Sequence, residues 1–209
     1  MVSPRRKYVA VAGTIGAGKT SLTAWLVKRY GFRPFYEPND ENPYLADFYA
    51  DMKAYALRSQ LFFLAHKTKL HQELDRAASH GPVVIDRTIY EDAEIFAKNL
   101  HRQKILDDRD FGVYRTLYES LRDSLRPPDL LVALTCSLKA TKRRIATRGR
   151  AMEAEIPDAY LRRLHKLYEE WFESYTLSPV VRIDTTELDY VENLVDLIEL
   201  QNTIDRALG

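Results

Sequence analysis

The sequence has almost no cysteine, since Cys136 is the single one in 209 residues. A lone thiol excludes a framework of disulfide bonds and fits a protein of the reducing cytoplasm. Cys136 lies in the apolar run LLVALTC, where a small buried side chain is its simplest interpretation. The five histidines are scattered without the spacing of metal ligands, so we expect no zinc site.

Long apolar runs and an excess of charge of either sign are also missing. No apolar stretch approaches the roughly 20 residues of a membrane span. The basic start of the chain meets Gly13 before an apolar signal segment can form, so we expect no signal peptide and no membrane association. The formal net charge of +1 gives no general affinity for nucleic acids, so any anion binding must come from a local cluster.

Short apolar runs alternate with longer helical patterns along the chain. The runs predict strands at 8–13, 83–86, 129–135 and 180–184, with a weaker candidate at 32–37. The longer patterns predict helices at 19–30, 43–78 with a break near Met52, 89–101, 110–125, 138–149, 157–176 and 189–207. Continuous apolar strands are typical of a parallel sheet that is covered on both faces. The sequence therefore predicts one α/β domain over 1–209, with about five parallel strands between helices.

An aromatic stripe marks the helix predicted at 157–176. Its apolar side chains recur at steps of three and four, namely Leu161, Leu164, Tyr168, Trp171 and Tyr175. Our first interpretation of this stripe is protein core. A share of it could form a dimer face, because the helix predicted at 89–101 also carries apolar side chains on one side, namely Ile95, Phe96 and Leu100.

The segment GTIGAGKT at 13–20 matches the phosphate-loop pattern G-x-x-x-x-G-K-T, between a predicted strand and a predicted helix. Glycines let backbone N–H groups converge on phosphate oxygens, and the helix N-terminus adds partial positive charge. We expect Lys19 to reach the outer phosphates and the Thr20 hydroxyl to bind Mg²⁺. The predicted nucleotide-binding residues of this loop are Gly13, Thr14, Ile15, Gly16, Ala17, Gly18, Lys19 and Thr20.

Two common classes of nucleotide-binding protein lack support. A GTPase would carry the guanine-reading pattern [NT]-K-x-D, and TKLH and TKRR both fail at its last position. The D-F-G at 110–112 is not preceded by the H-R-D loop of protein kinases, so we interpret it as a coincidence.

Charged residues at the ends of two predicted strands indicate where the group that receives the phosphate would bind. Strand C-termini line the ligand crevice of an α/β sheet, and Glu37, Asp86 and Arg87 stand at such ends. Glu37 can take a proton from an attacking hydroxyl, and Asp86 can contact Mg²⁺. Arg87 can neutralise charge on a transferring phosphoryl group. The alternatives are a solvated loop acid for Glu37 and a structural ion pair for the other two residues.

A basic cluster at 139–153 contains Arg144, Arg148 and Arg150. The first two lie four residues apart on one helix face, where like charges destabilise the helix unless an anion binds. Gly149 ends the helix and Glu153 follows, which indicates a mobile lid at about 144–156 that closes over phosphates. A solvated basic face is the alternative.

These motifs resemble the deoxyribonucleoside kinases, particularly the small bacterial deoxyadenosine and deoxyguanosine kinases. The resemblance covers most of the chain, through GTIGAGKTSL, YEPNDENPYLADFY, LRSQLFFLAHK, DRTIYEDAEIFAKNL and RRIATRGRAMEAEIP. It implies a three-layer P-loop kinase fold with an arginine-rich lid, and transfer of the γ-phosphate of MgATP to a deoxynucleoside 5′-hydroxyl. Glu37 would be the base, and the family's [DE]-R-[ST] motif would fall on Asp86, Arg87 and Thr88.

The same resemblance implies a homodimer and places two side chains, Tyr49 and Glu153, on the sugar 3′-hydroxyl. The family's lid arginines would fall on Arg144, Arg148 and Arg150. Asp92 matches a family position that reads the far edge of the base, with Lys67 standing where related enzymes have an arginine.

A mixed stripe on the helix predicted at 43–78 also indicates a base pocket. Gln60, Phe63 and Lys67 lie at i, i+3 and i+7, and an amide, an aromatic ring and a cation on one face suit a pocket wall better than a core. The Gln60 amide offers a donor and an acceptor together. We also place Phe96, in the helix predicted at 89–101, among the substrate-binding residues.

The sequence thus predicts a kinase that phosphorylates a purine deoxynucleoside, deoxyadenosine first. The nearest alternatives are a deoxyguanosine or deoxycytidine kinase on the same scaffold. A nucleoside monophosphate kinase and a nucleotide-dependent switch without phosphotransfer are more distant ones. Whether Glu37 or Asp86 accepts the proton stays open.

Overall fold

The apolar runs of the sequence form the strands of one sheet. The computed structural model describes residues 7–36, 41–149, 156–188 and 193–209. The strands are β1 (Tyr8–Gly13), β2 (Arg33–Phe35), β3 (Val83–Asp86), β4 (Leu130–Thr135) and β5 (Val180–Asp184). They match the predicted strands to within one or two residues, apart from 37, which lies outside the described residues.

The helical patterns form helices on both sides of this sheet. The helices are α1 (Lys19–Tyr30), α2 (Leu45–Ala50), α3 (Met52–Ala78), α4 (Ile89–Glu91), α5 (Lys98–Arg102), α6 (Asp108–Arg122), α7 (Leu138–Arg148), α8 (Asp158–Ser174) and α9 (Leu194–Leu208). No helix among these is long and apolar enough to cross a membrane.

The predicted break near Met52 is confirmed. Helix α2 ends at Ala50, and the side chain of the next residue, Asp51, accepts a hydrogen bond from the Ala54 N–H and caps the start of α3. A second irregularity was not predicted: the segment Asp92–Ala97 between α4 and α5 is π-helical. Such wide turns occur often at functional sites, and this one begins at a predicted base-reading residue.

All five strands in the described part of the chain run parallel, in the order β2-β3-β1-β4-β5. In this register Val11 of β1 lies opposite Asp86 of β3, and Gly13 lies opposite Leu134 of β4. The carboxyl ends of β1, β3 and β4 therefore meet at one edge of the sheet. This order places the phosphate loop beside Asp86.

Alternate residues of β1 belong to two cores. Tyr8, Ala10 and Ala12 belong to the core that also includes side chains of α3, α6 and α8. Val9 and Val11 belong to the core shared with α1 and α9. The predicted three-layer α/β fold, with a buried parallel sheet between helical layers, is confirmed.

The aromatic stripe of α8 lies in the first of these cores. Four of its five apolar side chains are buried in that core, and Leu161 is buried as well. Each buried large apolar side chain stabilises the fold by roughly 1.5–3 kcal/mol. The core interpretation is confirmed. Ile95 and Leu100 are also buried within the chain, so of the second stripe only the half-buried Phe96 could contribute to a dimer surface, and the dimer stays a prediction.

Candidate active site

The phosphate loop packs closely against β4 and α7, and this explains why it has glycine at two positions. A Cβ at Gly13 would lie 2.5 Å from the carbonyl oxygen of Leu134 in β4. Gly16 has a φ of +76° and a Cβ there would lie 3.1 Å from the carbonyl oxygen of Thr141 in α7. A side chain at Gly13 would collide with backbone, and one at Gly16 would be strained, because the left-handed region favours glycine.

Lys19 and Thr20 begin α1 and connect the loop to its surroundings. Lys19 Nζ donates to the carbonyl oxygens of Gly13 and Thr14, at 2.9 and 3.0 Å, and so closes the loop. The Thr20 hydroxyl donates to Asp86 Oδ2 over 2.6 Å. The structure thus brings together two residues that are 66 positions apart, the two that the sequence predicted as magnesium ligands.

Arg87 occupies an unusual backbone conformation at the end of β3. Its φ of +69° lies in the left-handed region, which costs a residue other than glycine roughly 1–2 kcal/mol. Its N–H donates to the Val11 carbonyl at 3.0 Å, and its guanidinium carbon lies 4.8 Å from the centre of the Phe96 ring. Such strain is retained where the surroundings determine the conformation, and it occurs most often at functional sites.

Lys67 lies beneath this turn. Its side chain is fully buried, and Nζ lies 3.4 Å from Asp92 Oδ1. Nζ also donates to the carbonyls of Arg87 and Thr88, at 3.2 and 3.4 Å. The sequence predicted Lys67 as a substrate-binding residue on a pocket wall. The family resemblance had placed Lys67 where related enzymes have the arginine partner of Asp92, and the structure shows this pair. Sequence reasoning missed the contacts with the Arg87 and Thr88 carbonyls, because these partners belong to another element.

The other members of the mixed stripe differ in their surroundings. Gln60 is only 5% exposed, and its Oε1 has no hydrogen-bond partner among the described residues. A buried amide oxygen without a partner is costly, so it is available to a ligand. Phe63 is half-buried, as is Phe96.

Glu91 is the functional candidate that the sequence analysis did not assign. It is fully buried at the third position of α4, where it forms a capping box with Thr88. Its Oε2 atom forms the cap. Its Oε1 atom accepts hydrogen bonds from Gly13 and Tyr168 and forms an ion pair with Arg87. The pattern T-x-x-E at 88–91 was the available signal, because it is the sequence signature of such a cap.

Arg144 does not extend into solvent as a lid residue. Its guanidinium donates to the Gly16 carbonyl at 3.2 Å, to the hydroxyl and carbonyl of Thr185, and to the Leu188 carbonyl. It therefore braces the phosphate loop against the segment that follows β5. Arg148, one turn further, is exposed.

The sugar-binding candidates are only partly described. Tyr49 stands on α2 and is 46% exposed. Burial raises the pKa of Tyr160 in α8, the nearby Tyr49 raises it further, and the charge of Arg87 opposes the shift. The Tyr160 hydroxyl therefore stays protonated at neutral pH. Three predicted residues, Glu37, Arg150 and Glu153, lie outside the described residues, as does the part of the predicted lid at 150–155.

Comparison with known proteins agrees with this arrangement. The family model of the deoxynucleoside kinases matches residues 9–207. The deoxyadenosine/deoxycytidine kinase of Bacillus subtilis is 36% identical over 204 residues, which cover 93% of each chain. A deoxyguanosine kinase of Lactobacillus acidophilus is 36% identical over 207 residues, which cover 95% of this chain and 90% of that one.

Solved structures resemble the chain over nearly its whole length. Deoxyadenosine kinase from M. mycoides with bound dCTP has a TM-score of 0.80 at 30% identity, covering 95% of this chain and 98% of that chain. The same enzyme with bound dATP has a TM-score of 0.81 at 31% identity, covering 94% and 98%. From its sequence, its sheet and its relatives, the chain belongs to the deoxynucleoside kinase family.

Proposed function

We propose that this enzyme transfers the γ-phosphate of MgATP to the 5′-hydroxyl of a deoxynucleoside and that deoxyadenosine is its preferred acceptor. The observation that carries the proposal is the 2.6 Å contact between Thr20 and Asp86, next to Arg87. It joins the phosphate loop to the strand end that bears the acceptor-side charges. The M. mycoides relative binds dATP, which supports an adenine nucleotide as a ligand of this chain.

The donor side consists of the phosphate loop and the residues that brace it. Backbone N–H groups of 13–20 would bind the phosphates, and Lys19 would neutralise their charge. Thr20 and Asp86 fit Mg²⁺, because hydroxyl and carboxylate oxygens are its preferred ligands and it needs only one or two of them besides phosphates and water. When bound, the ion supplies neutralisation of the phosphate charge. Arg144 would act here through the loop geometry, and Arg148 and Arg150 would contact phosphate directly.

On the acceptor side, Arg87 would stabilise the charge that develops on the transferring phosphoryl group. Glu37 or Asp86 would accept the proton of the 5′-hydroxyl, and Tyr49 and Glu153 would bind the 3′-hydroxyl. The transition state of phosphoryl transfer is loose, so charge and position contribute more than the base. We therefore expect Arg87→Ala to lower kcat at least as much as Glu37→Ala, and purified variants with the reverse ranking would contradict this weighting.

The base would lie between Gln60, Phe63 and Phe96, with Asp92 at its far edge. A carboxylate held beside Lys67 accepts hydrogen bonds, so it favours bases with an exocyclic amine. Adenine, cytosine and guanine have such an amine, and thymine has none. The curated relatives act on deoxyadenosine, deoxycytidine or deoxyguanosine by name, which makes deoxyguanosine or deoxycytidine the second candidate acceptor.

The test is a comparison of kcat/KM for the four deoxynucleosides with MgATP. We expect deoxyadenosine to give the highest value and thymidine to be lower by on the order of 100-fold or more, since an unpaired buried polar group costs that much discrimination. Comparable values for thymidine and deoxyadenosine would refute the role of Asp92. A higher kcat/KM for deoxyguanosine or deoxycytidine would support the proposed reaction and show that deoxyadenosine is not the preferred acceptor.

We also propose a homodimer, on the basis of the family resemblance alone. Gel filtration with light scattering measures the assembly directly. A monomer mass at micromolar concentration would remove this proposal without affecting the others.

A further inference from the structure

The side chain of Glu91 is fully buried beside the phosphate loop. A carboxylate inside a protein is tolerated only when its oxygens are hydrogen-bonded or ion-paired. Both oxygens of Glu91 meet this condition, and they do so in two different directions. The two sets of contacts therefore indicate two separate roles.

The first oxygen, Oε2, is used locally. It accepts a hydrogen bond from the Thr88 N–H at 2.7 Å and from the Thr88 hydroxyl at 3.3 Å. The bond from the Thr88 N–H is one half of the capping box that begins α4, and the Thr88 side chain completes the box by accepting from the Glu91 N–H. Capping alone needs nothing more from this side chain.

The second oxygen, Oε1, faces the active site. It accepts from the Gly13 N–H at 3.3 Å and from the Tyr168 hydroxyl at 2.9 Å, and it lies 3.9 Å from Arg87 Nε. Gly13 is the first residue of the phosphate loop, whereas Arg87 is the cation proposed for the acceptor side. One buried oxygen is thus hydrogen-bonded to the phosphate loop and ion-paired with the cation of the acceptor side.

We propose that Glu91 is a positioning residue that holds the Arg87 guanidinium in a fixed relation to the phosphate loop. This inference rests on the proposed role of Arg87 at the transferring phosphoryl group. The carboxylate attracts the guanidinium as an ion pair, 3.9 Å from Nε, and the hydrogen bond from the Gly13 N–H ties the same carboxylate to the loop. The φ of +69° fixes the direction in which the Arg87 side chain leaves the backbone, and the ion pair with Glu91 fixes the position of its guanidinium.

The consequence concerns turnover more than binding. Donor and acceptor are each bound by many other groups, whereas their mutual alignment in the transition state depends on Arg87 and the loop together. Misplacement of a reacting group by about 1 Å can lower the rate roughly 100-fold. We expect Glu91→Gln to lower kcat by roughly 10- to 100-fold and to change the KM of ATP and of the deoxynucleoside by less than about 3-fold.

Tyr168→Phe is the matched control. It removes one hydrogen bond to the same oxygen, keeps the charge of Glu91 and lies outside the proposed binding residues. We expect it to lower the melting temperature while its kcat stays within about 3-fold of wild type. If Glu91→Gln does not fold, Glu91→Asp replaces it, because aspartate keeps the charge and the capping position while its shorter stem withdraws from Arg87 and Gly13.

The decisive experiment combines Glu91→Gln with Arg87→Lys in a double-mutant cycle. All four proteins are assayed with MgATP and with whichever deoxynucleoside gives the highest kcat/KM, and circular dichroism and thermal melts verify folding. If Glu91 acts through Arg87, its substitution will lower kcat much less in the Arg87→Lys background than in the wild type.

The outcomes separate the two proposals. If Arg87→Lys keeps the wild-type kcat, the proposed role of Arg87 fails and Glu91 has no catalytic group to position. If Arg87→Lys is slow but a folded Glu91→Gln, or Glu91→Asp in its place, turns over at the wild-type rate, only the present inference is overturned. Independent, multiplicative losses in the double variant would overturn it as well, as would an equal loss of kcat in Tyr168→Phe.

Discussion

His71 of α3 lies beneath the start of α4 and is only 2% exposed. Its Nε2 accepts a hydrogen bond from the Ile89 N–H at 3.4 Å, so Nδ1 carries the ring hydrogen and faces the Tyr8 hydroxyl at 3.2 Å. Burial lowers the pKa of His71, the positive charge of Lys67 contributes in the same direction, and together they bring it to about 3. The Tyr90 ring packs edge-on against the imidazole. The ring is therefore neutral in the folded protein at any pH near neutrality.

This shift has a defined effect on the pH dependence of stability. The ordinary pKa of histidine in an unfolded chain is about 6.5, so below that pH the unfolded state binds a proton that the folded state excludes. Stability from this group is complete above pH 6.5 and is lost progressively as the pH falls towards the folded pKa of about 3. Between pH 7.5 and 5.0 the loss amounts to about 2 kcal/mol.

The assay is urea unfolding of the wild type and of His71→Gln at these two pH values. With a denaturant slope of about 2 kcal/mol per molar, the wild-type midpoint should fall by about 1 M more than that of the variant. His71→Gln should also be less stable than the wild type at pH 7.5. The two proteins share every other titrating group. The difference between their pH dependences therefore isolates His71.

Equal shifts of the two midpoints would refute the reasoning. An independent check follows the ring protons of His71 by NMR in the folded enzyme. We expect no titration between pH 7.5 and 5.0, and a midpoint near 6.5 would show that the burial argument is wrong.

Two further predictions concern the phosphate loop. Gly13→Ala should destabilise the protein by roughly 2–3 kcal/mol or more, because its Cβ would meet the Leu134 carbonyl at 2.5 Å. Gly31→Ala, which has a positive φ but no atom within 4 Å, should cost only about 1 kcal/mol in the same urea titration, and equal losses would contradict the clash. Arg144→Gln should raise the KM of ATP by roughly 10-fold through loss of the brace and leave the acceptor KM unchanged. The exposed Arg143→Gln on the same helix is its control, and a matching effect there would point to net charge instead.

Much of the fold followed from local signals. The strands are short apolar runs and the helices have periodic apolar faces, and each pattern needs only a window of neighbouring residues to be recognised. The phosphate loop was predictable for the same reason, since its pattern, its strand and its helix are continuous in the chain. The π-helical turn at 92–97 was not predictable, because it depends on how α4 and α5 pack against the rest of the molecule.

The residues of the candidate site also differ in whether a local sequence pattern reveals their role. The sequence identified Thr20, Asp86 and Arg87 individually, because strand ends and loop motifs have signatures. It assigned Lys67 and Arg144 to ligands, which stays a prediction, and it did not show that each of them also donates to backbone carbonyls of another segment. A solvated cation and a buried cation look alike in sequence.

By itself, the sequence determined which residue types stand at the carboxyl edge of a parallel sheet and which family they resemble. Only the tertiary structure decided how they are joined. The pairing of β1 with β3 puts Asp86 beside Thr20. The same pairing brings Glu91, in the helix that follows β3, to Gly13 at the end of β1, where it also lies near Arg87. Strand order and helix packing are set by the burial of apolar surface over the whole chain, and no local pattern encodes which distant polar groups that burial brings into contact.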